Sequence, residues 1–238
     1  MLKIKGLTKI YTNAKNATKA VNNLSFEVHP GEICGFIGHN GAGKTTTLKA
    51  IAGILDFEYG EITIEGRNIK KEPIKAKEIT AYIPDNPDLY ESLTGVKYLN
   101  FIADIYKIEK KTRDERIKKY SEVLEIYGDL GSPIGSYSHG MKQKIAVISA
   151  LIHSPKLILM DEPFVGLDPV AAHNLKQIMH EICDAGGMIL FSTHILDVAE
   201  KLCNKVVIIK KGERVAYGSV EEIRGNQSLE DIFMEISE

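Results

Sequence analysis

The sequence predicts an α/β protein with a mainly parallel sheet, an antiparallel β region near the N-terminus and a helical insertion. Two short apolar segments, ICGFIG and KLILMDEP, are typical of buried strands, and helical patterns follow them. Strands that alternate with helices favour a parallel sheet with helices on both faces. MLKIKGLTKIY and NLSFEV instead alternate apolar and polar residues, as half-buried strands do. A long stretch of helical spacing between these strand regions indicates the insertion.

The first part of the chain contains clear turn signals between its elements. HPGE ends the second strand, and ICGFIG runs into the glycine-rich segment HNGAGK. The segment TTTLKAIAGIL predicts a helix, since it places Leu48, Ile51 and Leu55 on one face. GEITIEGRNI then predicts two hairpin strands closed by the dipeptide EG.

From about Leu89 to Ser154 the pattern is helical, in KYLNFIADIYKI, RDERIKKYSEVLEIYG and GMKQKIAVISALIHS. Strands return in KLILMDEP, MILFSTH and VVIIKKGERVAYG, and the polar end that begins at SVEEIRG predicts one small appended helix. We therefore expect a single domain over residues 1–238. Its parts are an α/β core at 1–88 and 155–218, a helical subdomain at 89–154 and a C-terminal tail at 219–238.

The composition is that of an ordinary globular protein, with 44% hydrophobic and 26% charged residues. The net charge of −2 argues against a nucleic-acid partner, because such proteins usually carry a basic face. The N-terminus lacks the apolar stretch of a signal peptide, and the longest apolar run, IAVISALI, is far shorter than the roughly 20 residues of a membrane span. We expect a cytoplasmic protein that reaches a membrane only through a partner. The cysteines lack metal-ligand spacing, which predicts buried thiols at Cys34, Cys183 and Cys203.

The segment GHNGAGKT at residues 38–45 matches the pattern G-x-x-x-x-G-K-[ST] of a phosphate-binding loop between a strand and a helix. Its glycines let backbone N–H groups turn towards phosphate oxygens, and the start of the helix adds its positive dipole end. Lys44 is expected to reach the β- and γ-phosphates, and the Thr45 hydroxyl suits Mg²⁺. An ordinary glycine-rich turn is the alternative. The expected nucleotide contacts are Gly38, His39, Asn40, Gly41, Ala42, Gly43, Lys44, Thr45 and Thr46.

Two acidic residues end the apolar strand in LILMDEP. Ligands of α/β sheets bind at the carboxyl ends of the strands, so Asp161 and Glu162 should lie near the phosphate loop. Successive strand residues point in opposite directions, which predicts a Mg²⁺ role for Asp161 and a general-base role for Glu162. His194 ends the next apolar strand, in FSTH, where it could contact the γ-phosphate or the attacking water. Solvated acids and a structural histidine are the alternatives.

This ordered set of motifs resembles the ATP-binding subunit of an ABC transporter. The resemblance rests on the phosphate loop followed by SYSHGMKQK, LILMDEP, GLDP and STH, and it covers nearly the whole chain. It implies a P-loop NTPase fold of the RecA-like type, with ATP and Mg²⁺ as cofactors. It also places Tyr11 of LTKIY where the family stacks an aromatic ring on adenine, although packing in the core would also suit a single tyrosine. The segment TNAKNATKAV that follows is longer than the family pattern.

The family's signature L-S-G-G-Q corresponds here to YSHGM at residues 137–141. In the family two subunits pack head to tail, which implies that Ser138, His139 and Gly140 bind the γ-phosphate of the partner's ATP. Tyr137 and Met141 replace Leu and Gln and should change contacts only. His139 replaces a glycine, which is costly if the backbone needs a positive φ. Its side chain is expected either to donate to phosphate or to act as a neutral spacer.

Two further positions follow from the resemblance. Asp85, in AYIPDNPDLYESLTG, stands where the family commonly has a glutamine that touches Mg²⁺ and links to the membrane subunit. A carboxylate suits Mg²⁺ but adds negative charge beside ATP, and a turn-forming role is the alternative. Asp168, in VGLDP, is expected at the subunit interface and also at a helix start.

The resemblance implies an ATPase that powers a separate membrane permease as a homodimer or heterodimer, at the inner face of the cell membrane. The segments YIPDNPDLYESLTG, YSHGMKQK and DEPFVGLDP are most similar to bacterial ABC-2-type exporters, including the Ecs-type group. An importer subunit and a soluble ABC ATPase outside transport are alternatives. A P-loop phosphotransferase would need an acceptor pocket and an arginine-rich lid, which the sequence does not indicate. The transported substance is not predicted.

Overall fold

The computed structural model describes residues 1–12 and 17–237, so residues 13–16 of the long segment TNAKNATKAV lie outside the described residues. Within these residues ten strands and nine α-helices form. The strands are β1 (Leu2–Thr12), β2 (Ala17–Val28), β3 (Ile33–Ile37), β4 (Tyr59–Ile64), β5 (Arg67–Asn68), β6 (Thr80–Ile83), β7 (Leu157–Asp161), β8 (Met188–Thr193), β9 (Lys205–Lys210) and β10 (Glu213–Ser219). The helices are α1 (Lys44–Ile51), α2 (Pro73–Glu78), α3 (Gly95–Ile105), α4 (Lys110–Val123), α5 (His139–Leu151), α6 (Pro169–Asp184), α7 (Leu196–Leu202), α8 (Val220–Arg224) and α9 (Leu229–Ser237).

A six-stranded sheet with the order β10-β9-β3-β8-β7-β6 forms the centre of the fold. Its strands pair in parallel except β9 and β10, which are antiparallel. The register pairs Ile37 with Thr193 and Asp161 with Ser192, so β3, β8 and β7 end at the same edge. The predicted mainly parallel sheet is confirmed, and this edge brings the predicted motifs together.

The two faces of this sheet contribute to two separate apolar cores. Along β3, Ile33 and Ile37 join a cluster with residues of the insertion and of α6, α7 and α9. Cys34 and Phe36 point to the opposite face and pack with α1 and the antiparallel strands. This alternation follows from the two-residue period of a strand and explains why β3 is apolar at nearly every position.

The predicted antiparallel region is a four-stranded sheet with the order β2-β1-β4-β5. The hairpin between β4 and β5 pairs Ile64 with Arg67, which leaves Glu65 and Gly66 as the turn. Both turn residues have a positive φ, of 50° and 76°, as a type I′ hairpin turn requires. The hairpin closed by EG is therefore confirmed.

Two predicted helices have different bounds in the structure. Helix α1 ends at Ile51, so Leu55 lies outside it and the prediction of one helix through Leu55 is wrong. Gly53 has a φ of 64°, and the N–H of Ile54 donates to the carbonyl of Lys49 at 3.0 Å, which is a Schellman helix end.

The C-terminal tail contains two helices, α8 and α9, rather than the single helix that the sequence predicts. Gly225, with a φ of 52°, ends α8. Ser228 then begins α9, since its hydroxyl accepts from the N–H of Asp231 at 3.1 Å.

All three cysteines are buried and free, as predicted. Burial raises the pKa of the Cys183 thiol to about 12. No helix within the described part of the chain has the length and apolar character of a membrane span.

Candidate nucleotide site

The phosphate loop connects the end of β3 at Ile37 to the start of α1 at Lys44. Gly43 has a φ of 104°, and a Cβ atom there would lie 2.4 Å from the carbonyl oxygen of Ala20 in β2. The loop is also held from the other side, because the N–H of Gly212 donates to the carbonyl of Ala42 at 2.9 Å. Neighbouring backbone thus encloses the loop closely, and only glycine fits at Gly43.

Lys44 is 7% exposed and points back along the loop. Its Nζ donates to the carbonyl oxygen of Gly38 at 2.6 Å and lies 3.6 Å from Glu162 Oε1. The ammonium group therefore sits between the loop backbone and the end of β7. Thr45 is exposed at the start of α1, where the helix dipole favours an anion.

A cavity of about 450 Å³ lies over the phosphate loop. One wall comes from the loop and α1, and the other from the segments that follow β6 and β7. The loop side is lined by His39, Asn40, Gly41, Gly43, Lys44, Thr45, Thr46 and Lys49. The opposite side is lined by Tyr82, Pro84, Asp85, Asn86, Asp161 and Glu162, and Ala20 completes the lining. The predicted contacts Gly38 and Ala42 are buried and are not part of this lining.

Asp161 is the last residue of β7, whereas Glu162 follows the strand, so the alternation of strand side chains used in the prediction does not extend to Glu162. Asp161 is 3% exposed and accepts a hydrogen bond of 2.5 Å from the Ser192 hydroxyl. Glu162 has a φ of 48°, and its N–H contacts the same hydroxyl at 3.0 Å. A left-handed backbone at a non-glycine residue is uncommon and turns the Glu162 carboxylate towards Lys44.

His194 completes a row of three charged or polar groups at this edge. Its Nδ1 lies 3.0 Å from Glu162 Oε2, while the other oxygen of that carboxylate faces Lys44. β8, which ends just before His194, lies between β3 and β7 in the sheet. The carboxylate of Glu162 therefore bridges the phosphate loop and the histidine. Lys44, Glu162 and His194 therefore lie close together, as the sequence predicts.

Sequence reasoning missed Ser192, which contacts both acidic residues. Ser192 is fully buried, and the register places it directly beside Asp161 on the neighbouring strand. The available signal was a polar residue two positions before His194, followed by Thr193, at the end of an otherwise apolar strand. Lys49 and Asn86 of the cavity wall were also not predicted.

The residues around the cavity offer oxygen atoms that suit a hard divalent cation. Thr45, Asp85 and Asp161 all line the cavity, and Mg²⁺ prefers such ligands. The hydroxyl of Tyr82 is buried there without a hydrogen-bond partner among the described residues. Burial, with the nearby Asp161 and Asp85 carboxylates, raises the pKa of this phenol well above its usual range. The donor set therefore fits a hydrated cation, for which Tyr82 supplies a free donor or acceptor. Over the described ranges, no group of three or more His, Cys, Asp or Glu side chains could hold a metal by itself.

The signature segment lies at the start of α5, on the protein surface. Ser138 is the N-cap residue, and its hydroxyl accepts from the Met141 N–H at 3.2 Å. His139 is the first residue of the helix and has no positive φ, so the predicted backbone cost does not arise. Its ring lies against Gly166, where an added Cβ would come within 2.4 Å of His139 Cδ2. A glycine opposite the ring thus accommodates the histidine.

A second contact joins α5 to the segment VGLDP. Lys144 of α5 is nearly buried and its Nζ lies 3.1 Å from Asp168 Oδ2. Asp168 is the N-cap residue of α6, with its other oxygen accepting from the Ala171 N–H at 2.8 Å. The Ala171 N–H and the Lys144 ammonium hold the pKa of this carboxyl below its usual value. The predicted helix start at Asp168 is confirmed.

The structure does not bring all the predicted ligands together. The lining of the cavity, over the described residues, does not include Ser138, His139 or Gly140. Tyr11 is also absent from that lining and is 43% exposed at the end of β1, with Lys9 Nζ 5.5 Å from its ring. Packing of Tyr11 in the core, the alternative from the sequence, is therefore wrong.

The fold and this site define a class of protein. A glycine-rich phosphate loop, two acidic residues and a histidine converge at one edge of a mainly parallel sheet, which is the arrangement of a P-loop ATPase. The family model described as ABC transporter matches residues 21–165. The chain belongs to the ABC transporter family and is one of its ATPases.

Similar proteins agree with this assignment. The chain is 35% identical to the ABC-type transporter ATP-binding protein EcsA of Bacillus subtilis, over 100% of this chain and 96% of EcsA. A solved structure described as the ATP binding subunit of an ABC transporter has a TM-score of 0.94, with 35% identity and all of both chains covered. CbiO1 from Clostridium perfringens, part of the ABC transporter complex CbiONQ, has a TM-score of 0.77 and 25% identity, covering 100% of this chain and 98% of CbiO1. The predicted family is therefore confirmed, with an Ecs-type protein among the similar relatives.

Proposed function

We propose that this chain binds and hydrolyses Mg-ATP at the edge formed by β3, β8 and β7 and thereby powers a separate membrane permease. The observation that carries the proposal is the position of Glu162, whose two carboxylate oxygens face Lys44 at 3.6 Å and His194 at 3.0 Å. A base at that position can polarise a water molecule directed at the γ-phosphate, and His194 can hold the same water or phosphate. A solvated surface acid would not be expected to lie between these two groups.

Each residue of the cavity has a distinct role in this proposal. The phosphate loop, from Gly38 to Thr46, binds the phosphates through backbone N–H groups, and Lys44 contacts the β- and γ-oxygens. Thr45, Asp161 and Asp85 would hold Mg²⁺, directly or through water. When bound, the ion neutralises charge that develops on the transferred phosphoryl group. Ser192 fixes the two acids relative to each other through its hydroxyl.

We further propose that Ser138, His139 and Gly140 act on the nucleotide of a second ATPase subunit. These residues are outside the cavity of their own chain, yet Ser138 and His139 are exposed at the N-terminus of the 13-residue helix α5. Exposed N–H groups at a helix start are suited to bind phosphate. The partner subunit is a second copy of this chain or a homologue. Binding across the interface gives ATP a higher affinity for the closed dimer, which a ligand-driven closure requires.

Light scattering of Glu162→Gln with and without Mg-ATP tests both parts of this proposal. We expect the variant to bind ATP, lose most turnover and become dimeric when ATP is added. Lys44→Ala is the matched control that should lose tight ATP binding and stay monomeric. Ser138→Arg in the Glu162→Gln background should bind ATP as a monomer. Near-normal hydrolysis by Glu162→Gln would exclude Glu162 as the base, and a closed dimer formed by the Ser138→Arg variant would exclude the trans role.

Tyr11 is proposed to stack on the adenine ring. It is exposed at the end of β1, and the neighbouring strand β2 supplies Ala20 to the cavity lining. Tyr11→Ala should weaken binding of ATP, while Tyr11→Phe should retain it. Equal affinities in fluorescence titrations of the two variants would remove Tyr11 from the site.

The membrane partner is proposed to dock on the helical subdomain, with export as the direction of transport. CbiO1 is described as part of a transporter complex, and the similarity to EcsA favours the Ecs-type group. Tyr90 and Phe101 are 58% and 41% exposed and form an aromatic pair with centroids 5.7 Å apart. Exposed apolar clusters of this kind are typical of interaction surfaces. Such docking would place the chain at the inner face of the membrane.

Co-purification with co-expressed candidate permeases tests the docking proposal. Phe101→Glu should abolish co-purification without changing the ATPase rate of the isolated chain. Tyr127→Glu is the matched control, because Tyr127 is 53% exposed in the same subdomain but is not part of that pair. Retention of the permease by Phe101→Glu would contradict the assigned surface. Uptake rather than release of solute by vesicles carrying the complex would favour an importer.

A further inference from the structure

The last helix of the chain touches the phosphate loop. Phe233 of α9 is 9% exposed, and its ring centroid lies 4.6 Å from that of His39, with 51° between the ring planes. His39 follows the first glycine of the loop and lines the nucleotide cavity. The C-terminal tail, for which the sequence predicted only an appended helix, thus contacts the residues proposed to bind phosphate.

Helix α9 is firmly attached to the rest of the domain. Leu229 is fully buried, and its N–H donates to Glu200 Oε2 at 2.8 Å. The other Glu200 oxygen accepts from Arg224 of α8 at 3.1 Å. Near the opposite end of α9, Lys210 Nζ donates to the carbonyl of Ile236 at 2.8 Å. These contacts at both ends hold Phe233 in place, so its ring can restrain the loop.

The attachment also connects two parts of the nucleotide site. Glu200 lies on α7, the helix that begins two residues after His194. The carbonyl of His39 lies 3.4 Å from Lys44 Nζ. Glu200 therefore connects α9 to α7, the helix that follows His194. Phe233 connects α9 to the phosphate loop, which leads into Lys44.

We propose that Phe233 is a positioning residue for ATP binding, which acts by holding His39 and with it the first residues of the phosphate loop. Tilted aromatic pairs contribute more than the burial of their surface alone. Loss of the Phe233 ring removes this contact and leaves the His39 side chain less restrained at the cavity wall. This inference rests on the proposed binding of ATP by the phosphate loop. Phe233 itself does not touch the nucleotide.

The affinity of full-length variants for ATP, measured beside steady-state hydrolysis, tests the proposal. Phe233→Ala should weaken ATP binding about threefold to tenfold, the range expected for loss of one aromatic pair. The KM for ATP should rise by the same factor, with kcat changed less than twofold. Met234→Ala is the matched control, because Met234 is the next residue of α9 and is 60% exposed. A purely structural role for Phe233 would lower thermal stability and the fraction of active protein but leave the dissociation constant unchanged.

Two further variants separate the ring contact from apolar burial. Phe233→Leu keeps a buried apolar side chain if Phe233→Ala fails to fold, and it should show the same loss of affinity. Phe233→Tyr should restore affinity to within twofold of the wild type. In a His39→Ala background, Phe233→Leu should cause no further loss, since the partner ring is already absent.

The outcomes distinguish this proposal from the proposed function. One outcome is that the wild-type chain binds ATP and that Phe233→Leu and Met234→Ala bind it equally well. That result would refute the role of Phe233 and leave the proposed function standing. Additive losses from His39→Ala and Phe233→Leu would also refute it. If the wild-type chain binds no ATP, the proposed function fails and this inference fails with it.

Discussion

Replacing Ser192 with alanine removes a buried hydroxyl that connects the two acidic residues at the end of β7. The Ser192 Oγ donates to Asp161 at 2.5 Å and accepts from the Glu162 N–H at 3.0 Å. Ser192 is fully buried and Asp161 is 3% exposed, so water has little access to the groups left behind. The change is small in volume and affects only these contacts.

The expected loss of stability can be worked out contact by contact. The Glu162 N–H keeps a second acceptor, the backbone carbonyl of Ser192 at 3.2 Å, so losing the hydroxyl as an acceptor costs this N–H little. Asp161 loses a hydrogen bond to a charged group, which is worth about 1.5–3 kcal/mol. We therefore expect the free energy of unfolding to fall by about 2 kcal/mol, or Tm by about 4–8 °C for a domain of this size. We expect kcat to fall about tenfold or more, because Glu162 loses one support of its left-handed conformation.

Calorimetry and steady-state ATP hydrolysis measure these two effects on the same preparation. Ser149→Ala is the matched control, since its Oγ donates to the Ala146 carbonyl inside α5, away from the cavity. That variant should lose less than about 1 kcal/mol and keep its kcat. A Ser192→Ala protein with the Tm and kcat of the wild type would refute the reasoning about the buried hydroxyl. Equal loss of kcat in both variants would show that the effect is not specific to the site.

Two other changes test other parts of the structure. Gly166→Ala should lower the free energy of unfolding by about 1–3 kcal/mol, because Gly166 has a φ of 80° and the added methyl group meets the His139 ring. In chemical denaturation, a second change, His139→Gly, should restore only the part of this loss that comes from the clash with the ring. Burial, opposed by the Thr80 backbone and aided by Arg116, lowers the pKa of His153 from 6.5 to about 4, so the neutral form is favoured in the fold. The resulting stability is present above pH 6.5 and is lost as the pH falls towards 4, since the unfolded chain then binds the proton more readily. His153→Phe, which keeps a ring against Tyr106, should flatten this pH dependence in urea titrations, and an unchanged slope would contradict the assignment.

The sequence predicted those features that arise from local pattern. The strand before GHNGAGKT is short and apolar, as is the strand before Asp161, and such segments are typical of the buried strands of a parallel sheet. Because those strands must end at a common edge, the sequence alone predicted that Lys44, Glu162 and His194 lie close together. The hairpin turn at EG was equally local.

What the sequence did not reveal depends on contacts between distant segments or on single helix ends. Ser192 matters because the register sets it beside Asp161, and strand register cannot be deduced from composition. The contact between Phe233 and His39 joins two segments that are far apart in the sequence, and it leaves no periodic signal. The end of α1 was missed although Gly53 was visible, because apolar spacing through Leu55 suggested a longer helix.

The tight enclosure of the phosphate loop has a thermodynamic consequence for binding. Backbone from β2 closes on Gly43, and the N–H of Gly212, between β9 and β10, holds the carbonyl of Ala42. Fixing a flexible residue costs roughly 1–2 kcal/mol of conformational entropy. This loop is ordered when the domain folds, so nucleotide binding does not have to order it and the binding free energy does not include this entropy loss. The affinity for phosphate therefore depends on the stability of the two sheets as well as on the residues that touch it.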